Sequence, residues 1–363
     1  MYTPKFTITT SIAQALMRIE AHKQAISDLP ITPDVLLHLR ETARLATTHY
    51  STAIEGNDLE EVEVKKVIQG SSNIQGKERD TAEVKGYYAA LQRVERLAGK
   101  KYPTEKDIQT IHALVIGGGR NQVKPTLYRT EQNVIKDSRS GTIVYLPPEE
   151  KDVPQLMEDL VLWIKSSLYE QIPLPLRAGI AHYQYVTIHP YLDGNGRTAR
   201  LLTTLIAHQG GYDLKGIFSV EEYYVQSLQQ YYDALSLGLS HNYYFGRHEA
   251  DITPWLEYFC AGMAESFDKI HRQAQKAAKA GQQDFSPILR DLDPRQRKVL
   301  SLFVHSTRIT TREIATCLNI STRAASAWCQ KWVNDGFLRI MNPAKRNRSY
   351  ALGKQYESLV VYS

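Results

Sequence analysis

The stretch HPYLDGNGRTAR, residues 189–200, forces a sharp bend between two helices. Apolar residues at helical spacing lie on both sides of the stretch. Pro190 biases the backbone of His189 away from the helical conformation, and Gly194 and Gly196 permit a tight turn. We therefore expect one helix to end at His189 and a second helix to begin near Gly196.

The same bend concentrates groups that handle phosphate. The start of the second helix presents free N–H groups and the positive end of a helix dipole, which together bind anions. Arg197 and Arg200 lie three residues apart on one face of that helix, and guanidinium groups suit phosphate oxygens. His189 is a natural general base near neutral pH. We interpret Asp193, an acid beside an anion site, as a Mg²⁺ ligand, and the whole stretch as a phosphoryl or nucleotidyl transfer site.

The stretch also resembles the Fic motif, H-x-F-x-D/E-G-N-G-R-x-x-R, with Tyr191 in place of phenylalanine as the one mismatch. Fic proteins are mostly helical, and most characterised members transfer AMP from ATP to a side-chain hydroxyl of a target protein. The resemblance implies that His189 deprotonates this hydroxyl and that Asp193 holds Mg²⁺ between the α- and β-phosphates. It places Arg197 at the β-phosphate and Arg200 at the γ-phosphate. The residues that it assigns to ATP are Gly194, Asn195, Gly196, Arg197, Thr198, Ala199, Arg200 and Tyr231.

The last of these residues, Tyr231, belongs to a separate stretch, YYDAL at residues 231–235. This stretch resembles the segment in which Fic proteins carry an aromatic ring against the adenine. A pair of tyrosines on a helix is also typical of a core, with one ring inward and one outward. Adenine contact and core packing both remain open for Tyr231.

A β-hairpin pattern occupies residues 133–148, where two short β-prone runs flank a polar turn and end at two prolines. Fic proteins carry a β-hairpin flap upstream of the motif, and this flap docks the target segment by strand addition. The resemblance therefore implies a flap that contains Ile143, Val144 and Tyr145. A simple surface turn is the alternative.

The stretch STAIEGN, residues 51–57, places Ser51 and Glu55 on one face of a helix, since residues four apart lie about 40° around the axis. An exposed glutamate before a Gly56 C-cap is the simplest interpretation. The stretch also resembles the Fic inhibitory motif, S/T-x-x-x-E-G/N, whose glutamate pairs with the second motif arginine, here Arg200. A carboxylate there would place negative charge where the γ-phosphate must go. In some relatives this glutamate supports removal of AMP, so the reverse activity stays open.

The C-terminal region is basic. Residues 286–363 hold 13 Lys and Arg against 5 Asp and Glu, whereas the first 285 residues hold 31 against 34. Three helical patterns and two strands around a basic turn predict a helix-turn-helix with a β-wing. The region resembles the winged-helix domains of many bacterial regulators, and its charge favours DNA over the protein contacts that such domains also make. The candidate DNA-binding residues are Arg323, Lys345, Arg346 and Arg348.

Composition bounds the remaining possibilities. The apolar share of 42% and the charged share of 23% are ordinary for a soluble globular protein. No apolar run reaches the ~18 residues that a membrane span needs, and the first residues lack the pattern of a signal peptide. Three widely spaced cysteines predict buried thiols in a reducing compartment. We therefore expect a cytoplasmic protein without a membrane segment.

Together these patterns predict a mainly α protein, with a Fic helical bundle, a β-hairpin flap and a C-terminal winged helix-turn-helix domain. The expected domains are an N-terminal region with the inhibitory helix (1–100), a catalytic domain (101–280) and a winged-helix domain (286–363). The expected activity is a protein adenylyltransferase that uses ATP and Mg²⁺, modifies a target protein or itself, and is inhibited when Glu55 pairs with Arg200. The alternatives are a DNA-binding regulator with a nucleotide-responsive Fic domain, a Fic enzyme with another nucleotide, and deAMPylation. DNA and a second copy of the chain stay open as partners.

Overall fold

The chain divides into two compact units, Met1–Ala278 and Lys279–Ser363. The computed structural model describes residues 2–29, 31–70, 74–120, 122–136, 141–238, 241–280, 292–303, 306–342, 344 and 348–360. Helices dominate both units, which confirms the predicted mainly α class.

The first unit is a bundle of helices. In chain order they are α1 (Thr10–Asp28), α2 (Pro33–Ala53), α3 (Glu61–Ile68), α4 (Glu78–Leu97), α5 (Glu105–Val115), α6 (Val153–Ile164), α7 (Ser167–Gln171), α8 (Leu174–Ile188), α9 (Asn195–Gln209), α10 (Glu221–Gln226), α11 (Leu228–Leu235) and α12 (Thr253–Ala280). Helices α8 and α9 are buried along most of their length and pack against each other. Helices α2, α4 and α5 also contact α9, so the bend before α9 lies among elements from four parts of the chain.

A β-hairpin lies between α5 and α6. Its strands β1 (Ile135–Lys136) and β2 (Ile143–Tyr145) pair antiparallel, with Ile135 opposite Tyr145. The residue after β2, Leu146, donates its N–H to the carbonyl of His241 at 2.7 Å and accepts the N–H of Tyr243 at 3.0 Å. The hairpin is thereby tied at its base to a distant loop of the same unit.

The second unit has its own core, which includes Phe303, Trp332 and Phe337. Its elements are α13 (Pro294–Phe303), β3 (Ile309–Thr310), α14 (Thr311–Leu318), α15 (Thr322–Asn334), β4 (Leu338–Asn342) and β5 (Ser349–Leu352). The three strands form an antiparallel sheet in the order β3-β5-β4. Asn319 takes the left-handed conformation (φ 55°) after α14, which permits the tight turn into α15.

The structure bears on two expectations from the sequence, the absence of a membrane span and the burial of the three cysteines. None of the helices formed by the described residues has the length and apolar character that crossing a bilayer requires. The three cysteines are free; Cys260 and Cys329 are buried, whereas Cys317 is partly exposed. The expectation of three buried thiols is therefore wrong for Cys317, because its position near the end of α14 leaves the side chain at the surface.

Candidate active site

The bend between α8 and α9 holds a histidine in a left-handed backbone conformation. His189 is the C-cap of α8, with φ 51° and ψ 60°, and its N–H donates to the carbonyl of Tyr185 at 3.0 Å. After the loop, Gly194 (φ 76°) leads into α9, which begins at Asn195. A non-glycine residue in this region stores backbone strain, which the surrounding contacts must offset and which occurs most often at functional sites.

The imidazole of His189 has one fixed proton. Its Nδ1 lies 3.2 Å from the carbonyl oxygen of Val186. Since a carbonyl can only accept, Nδ1 carries the proton in the neutral ring, and Nε2 keeps its lone pair. Burial lowers the pKa of His189 to about 4, because desolvation disfavours the charged imidazolium. At neutral pH, Nε2 of His189 is therefore an unprotonated base.

At the start of α9, the groups available to a ligand are backbone N–H groups rather than the side chains of Asn195, Thr198 and Ala199. The Asn195 amide folds back on Tyr191, accepting its N–H at 3.0 Å and donating to its carbonyl at 2.8 Å. The Thr198 hydroxyl donates to the carbonyl of Gly194 at 2.8 Å, and Ala199 is fully buried. The side chains of Asn195, Thr198 and Ala199 thus hold the loop and the core, and the assignment of these residues to ATP stays a prediction. The first-turn amides are the groups that can face an anion.

Asp193 is the one acid of the bend at residues 189–200, and 75% of its side chain is accessible. Its Oδ1 accepts the N–H of Gly194 at 2.6 Å and a hydrogen bond from Arg197 Nη2 at 3.0 Å. No group of three or more His, Cys, Asp or Glu arranged for a metal occurs in the part of the chain that the structure describes. Asp193 therefore offers one carboxylate as a metal ligand, next to a helix start that can bind an anion.

The second motif arginine pairs with a distant glutamate. Arg200 is 1% exposed; its Nε donates to Ser51 Oγ at 2.7 Å, and its Nη2 donates to the Ser51 carbonyl and to Glu55 Oε1, both at 2.8 Å. Burial alone would lower the pKa of Arg200, but the Glu55 carboxylate raises it well above its ordinary value. Glu55 lies just beyond the end of α2 rather than on it, in a turn that passes through Gly56 at φ 87°.

The Glu55 carboxylate lies directly against the first turn of α9. A Cβ atom added to Gly196 would come within 2.3 Å of Glu55 Oε1 and 3.2 Å of Arg200 Nη1. A side chain at this position would collide with the carboxylate, so only glycine allows the approach. The carboxylate thus occupies the space in which a helix N-terminus binds an anion.

The first motif arginine contacts two acids, one of which the sequence patterns do not reveal. Arg197 is buried, and its Nη1 lies 3.8 Å from Glu83 Oε1 on α4. The other oxygen of Glu83 accepts a hydrogen bond from Asn57 Nδ2 at 3.1 Å, which ties the turn after Glu55 to α4. Nε of Arg197 is buried without a hydrogen-bond partner among the described residues. This guanidinium group therefore has unused capacity for a ligand.

The structure assigns the two tyrosines of α11 opposite environments. Tyr231 is 2% exposed, its hydroxyl lies 3.0 Å from Nε2 of His182, and its ring stacks on Tyr224. Tyr232 is 44% exposed and donates to the carbonyl of Ile54, next to Glu55. The Tyr231 ring is packed on the core side of the helix, which favours the core-packing alternative, and adenine contact stays a prediction.

The hairpin side chains also divide into two groups. Ile143 and Val144 are exposed, whereas Tyr145 is buried and donates its hydroxyl to the carbonyl of Thr187 at 2.7 Å. Tyr145 is therefore an anchor of the hairpin to the end of α8. The exposed pair leaves an apolar surface on β2.

Tyr191, the one mismatch to the Fic motif, packs against a histidine. The Tyr191 ring stacks on His112 at a centroid distance of 3.5 Å, and its hydroxyl donates to the carbonyl of Thr126 at 3.4 Å. His112 Nε2 donates to the carbonyl of Asp193 at 2.9 Å, and burial lowers the pKa of His112 to about 4. This neutral histidine supports the loop through the ring stack and the hydrogen bond. The sequence does not reveal this role, because His112 is a lone histidine on α5.

Comparison with known proteins finds relatives that share one domain. Residues 102–207 match the Fic/DOC family. The chain is 27% identical over 255 residues to the protein adenylyltransferase Fic of Drosophila mojavensis, which covers 70% of this chain and 46% of that protein. It is 28% identical over 244 residues to the protein of the same name from Aedes aegypti, with 66% and 44% covered. The chain spans about half the length of these curated relatives.

Solved structures share the fold. A Fic family protein from Desulfovibrio desulfuricans G20 matches 97% of this chain and 99% of its own, with a TM-score of 0.59 and 22% identity. Fic-1 of C. elegans (residues 134–508) matches 74% of this chain and 73% of its own, with a TM-score of 0.59 and 25% identity. Residues 102–207 thus match the Fic/DOC family, and the chain is similar in sequence and in fold to proteins that carry a Fic domain.

Proposed function

We propose that this protein is a protein adenylyltransferase that its own Glu55 holds in an inhibited state. The observation that carries the proposal is the Glu55 carboxylate, 2.8 Å from Arg200 Nη2 and against the first turn of α9. The neutral His189, the exposed Asp193 and two buried guanidinium groups at a helix start are what a nucleotidyl transfer requires. The name that the curated relatives share, protein adenylyltransferase Fic, supports the same reaction.

In the proposed reaction, the hydroxyl oxygen of a target Tyr, Thr or Ser attacks the α-phosphorus of ATP. The bond from this phosphorus to the bridging oxygen breaks, and pyrophosphate leaves. The hydroxyl proton passes to Nε2 of His189, which its low pKa leaves unprotonated at neutral pH. The hydrogen bond from Nδ1 to the carbonyl of Val186 keeps Nε2 free for this step.

The residues at the start of α9 fit a nucleotide with its metal. Arg197 has a buried Nε without a partner among the described residues, which suits a phosphate oxygen. Asp193 would hold Mg²⁺, an ion that commonly takes one or two carboxylates together with substrate phosphates. When bound, Mg²⁺ offsets the negative charge of the phosphates. We assign Arg197 to the β-phosphate and Arg200 to the γ-phosphate, with the first-turn amides as further donors.

The inhibition is a competition between two anions for one site. Glu55 takes up Nη2 of Arg200 and places a negative charge against the first turn of α9. A γ-phosphate at Arg200 would meet this carboxylate, and two anions repel each other strongly in a buried setting. Asn57 stabilises the inhibitory turn through its hydrogen bond to Glu83.

The acid limb of the pH–rate profile should lie at a pH well below the usual pKa range of histidine. Because the pKa of His189 is lowered to about 4, falling pH protonates the base only near that value. For a Glu55→Gly variant we expect kcat/KM to stay level from pH 8 to pH 6 and to fall by half near pH 4 or below, not near the ordinary ~6.5, because the substitution also removes a carboxylate that raises the pKa of His189. The measurement is kcat/KM against pH, with circular dichroism at each pH to show that the protein stays folded. A midpoint near 6.5 would contradict the assigned environment of the base.

One experiment tests the proposed function as a whole. The purified protein is incubated with ATP and Mg²⁺ and analysed by intact-mass spectrometry, as wild type, as Glu55→Gly and as Glu55→Gly with His189→Ala. An added mass of one AMP group in Glu55→Gly, strongly reduced in the double variant, supports adenylyl transfer. The same experiment with GTP, CTP and UTP tests whether another nucleotide is the donor, and no adduct with any nucleotide would refute the proposal.

For the second unit we propose DNA binding. Two observations favour it: residues 286–363 hold 13 Lys and Arg against 5 Asp and Glu, and Arg323 is exposed at the start of α15. Helices that read DNA place such N-terminal side chains in the major groove. Arg348 lies at the edge of β5, whereas Lys345 and Arg346, the other candidate contacts, lie outside the described residues.

Binding to a duplex should therefore weaken steeply as salt rises, because phosphate contacts release counterions. We expect Arg323→Ala to weaken binding by about 1–3 kcal/mol, and Lys354→Ala, an exposed charge-matched control, to have less effect. Fluorescence anisotropy with a labelled duplex at several salt concentrations measures both effects. Absence of binding even at low salt would exclude DNA and favour a protein partner for this unit.

A further inference from the structure

The hairpin is anchored to the very segment that presents the base. Three side chains from the hairpin and the residues before it donate hydrogen bonds to backbone carbonyls in the segment 187–191. They are, in order along that segment, Tyr145 Oη to Thr187 O at 2.7 Å, Arg129 Nε to His189 O at 3.1 Å, and Asn133 Nδ2 to Tyr191 O at 3.0 Å. The carbonyls of alternate residues are thus held by side chains from one region of the chain. We call Arg129, Asn133 and Tyr145 the flap anchors.

Arg129 makes the most extensive contacts of the three. It is 6% exposed, and besides the carbonyl of His189 its guanidinium binds the carbonyls of Glu131, at 3.0 Å, and of Pro148. Glu131 precedes β1 and Pro148 follows β2, so one guanidinium joins both ends of the hairpin to the base. Its backbone N–H also donates to the carbonyl of Pro190 at 3.0 Å. Arg129 therefore holds the two peptide groups on either side of Pro190, those between residues 189 and 190 and between residues 190 and 191.

These hydrogen bonds act on a backbone segment that needs support from neighbouring contacts to keep its conformation. His189 is left-handed at φ 51°, a conformation that persists only when neighbouring contacts impose it. The ring follows the backbone, because Nδ1 is bonded to the carbonyl of Val186 one turn earlier. A shift of the 189–190 peptide would therefore move Nε2, and a misplacement of about 1 Å can cost a large factor in rate.

We propose that Arg129 is a positioning residue for His189 and that, with Asn133 and Tyr145, it fixes the base relative to the hairpin. A target segment that pairs with the hairpin would then be placed relative to Nε2 by the same contacts, so that docking and alignment of the hydroxyl are one event. Arg129 acts through the backbone and touches neither the target nor the nucleotide. The inference rests on the proposed transferase function, because alignment of a target hydroxyl with Nε2 matters only if His189 acts as the general base.

Arg129→Lys tests the inference, since lysine keeps the charge but cannot bind three carbonyls with one planar group. Arg177→Lys is the matched control, because Arg177 also donates to two backbone carbonyls, those of Ile172 and Glu170, at the opposite end of α8. Both substitutions are made in the Glu55→Gly background. The readouts are kcat, the KM for ATP, and the NMR resonances of the labelled His189 ring as a function of pH.

For Arg129→Lys we expect roughly a tenfold loss of kcat, a change of less than about twofold in the KM for ATP, and a shift of the His189 ring resonances with a raised pKa. For Arg177→Lys we expect kcat and the His189 ring to remain as in the parent. A loss of thermal stability alone, with kcat and the ring unchanged in Arg129→Lys, would overturn the proposal.

The NMR readout separates this inference from the proposed function. If Glu55→Gly transfers no AMP, the proposed function fails, whereas a shifted His189 ring in Arg129→Lys still supports the positioning contact and an unchanged ring still refutes it. If Arg129→Lys does not fold, Asn133→Ala and Tyr145→Phe each remove one anchor bond. Both should shift the His189 ring in the same direction, and an unchanged ring in both would refute the inference.

Discussion

Replacing Glu55 by glycine is expected to raise self-AMPylation by roughly 10- to 100-fold. The substitution removes the carboxylate from Arg200 and from the first turn of α9, and hydrogen bonds to charged groups contribute about 1.5–3 kcal/mol, at about 1.4 kcal/mol per tenfold. Arg200 should keep its position, because Ser51 still accepts hydrogen bonds from its Nε and Nη2. Initial rates of labelling with α-³²P-ATP measure the effect.

Glu55→Gln provides the matched control, because it keeps the shape of the side chain and a hydrogen-bond acceptor but removes the charge. If repulsion of the γ-phosphate is the cause, this variant should fall between wild type and Glu55→Gly. Labelling that is equal in wild type and Glu55→Gly would contradict inhibition through Arg200.

The reverse activity predicts a different time course for the same variant. If Glu55 supports removal of AMP, label would accumulate in Glu55→Gly because removal stops, even though the initial rate of transfer is unchanged. A chase with unlabelled ATP separates the two cases: wild-type protein that has been labelled would lose AMP during the chase, and labelled Glu55→Gly would keep it. Inhibition alone predicts a faster initial rate and no loss from either protein.

The bend at the site could be predicted from the sequence because its causes are local. Pro190 excludes the helical conformation at the preceding residue, and Gly194 supplies the left-handed turn before α9. The structure accordingly ends α8 at Ile188 and begins α9 at Asn195, close to the predicted positions. Each of these choices is made within a few residues of the chain, whereas the left-handed conformation that His189 adopts at the bend depends on contacts from distant segments.

Contacts between distant segments could not be predicted in this way. Glu83 and Asn57 meet near Arg197, and Arg129 reaches His189 across 60 residues, but none of these polar side chains lies in a pattern of its own. Whether such a residue is solvated or buried depends on how α4, α5 and the hairpin pack around α9. The pairing of Glu55 with Arg200 could be anticipated only through the resemblance to Fic proteins.

The environments of the two α11 tyrosines show a second limit. A single helix from Glu221 to Leu235 would continue through Ser227, but the backbone there takes φ −146° and ψ 78° and separates α10 from α11. A break of this kind changes which side of the later helix faces the core. Tyr231 is consequently buried and Tyr232 exposed, an outcome that spacing alone leaves undecided.

In the Glu55→Gly background, His189→Ala is expected to lower the rate of AMP transfer by about 10²- to 10⁴-fold, the usual contribution of a general base. Binding of ATP should persist, because Arg197, Arg200 and the first turn of α9 are unchanged. Labelling rates and calorimetric titration with ATP measure the two effects separately. His241→Ala, at an exposed histidine whose hydrogen bond uses only the backbone, is the control and should behave as the parent does.

His189→Gln distinguishes a proton acceptor from a side chain that merely orients the target hydroxyl. A glutamine amide can hydrogen-bond to the hydroxyl but cannot take its proton at any accessible pH. Since the Val186 carbonyl fixes the proton of His189 on Nδ1, Nε2 is the atom that accepts, and glutamine should be as inactive as alanine. Substantial activity in the glutamine variant would instead show that orientation of the hydroxyl suffices and that the proton leaves by another route.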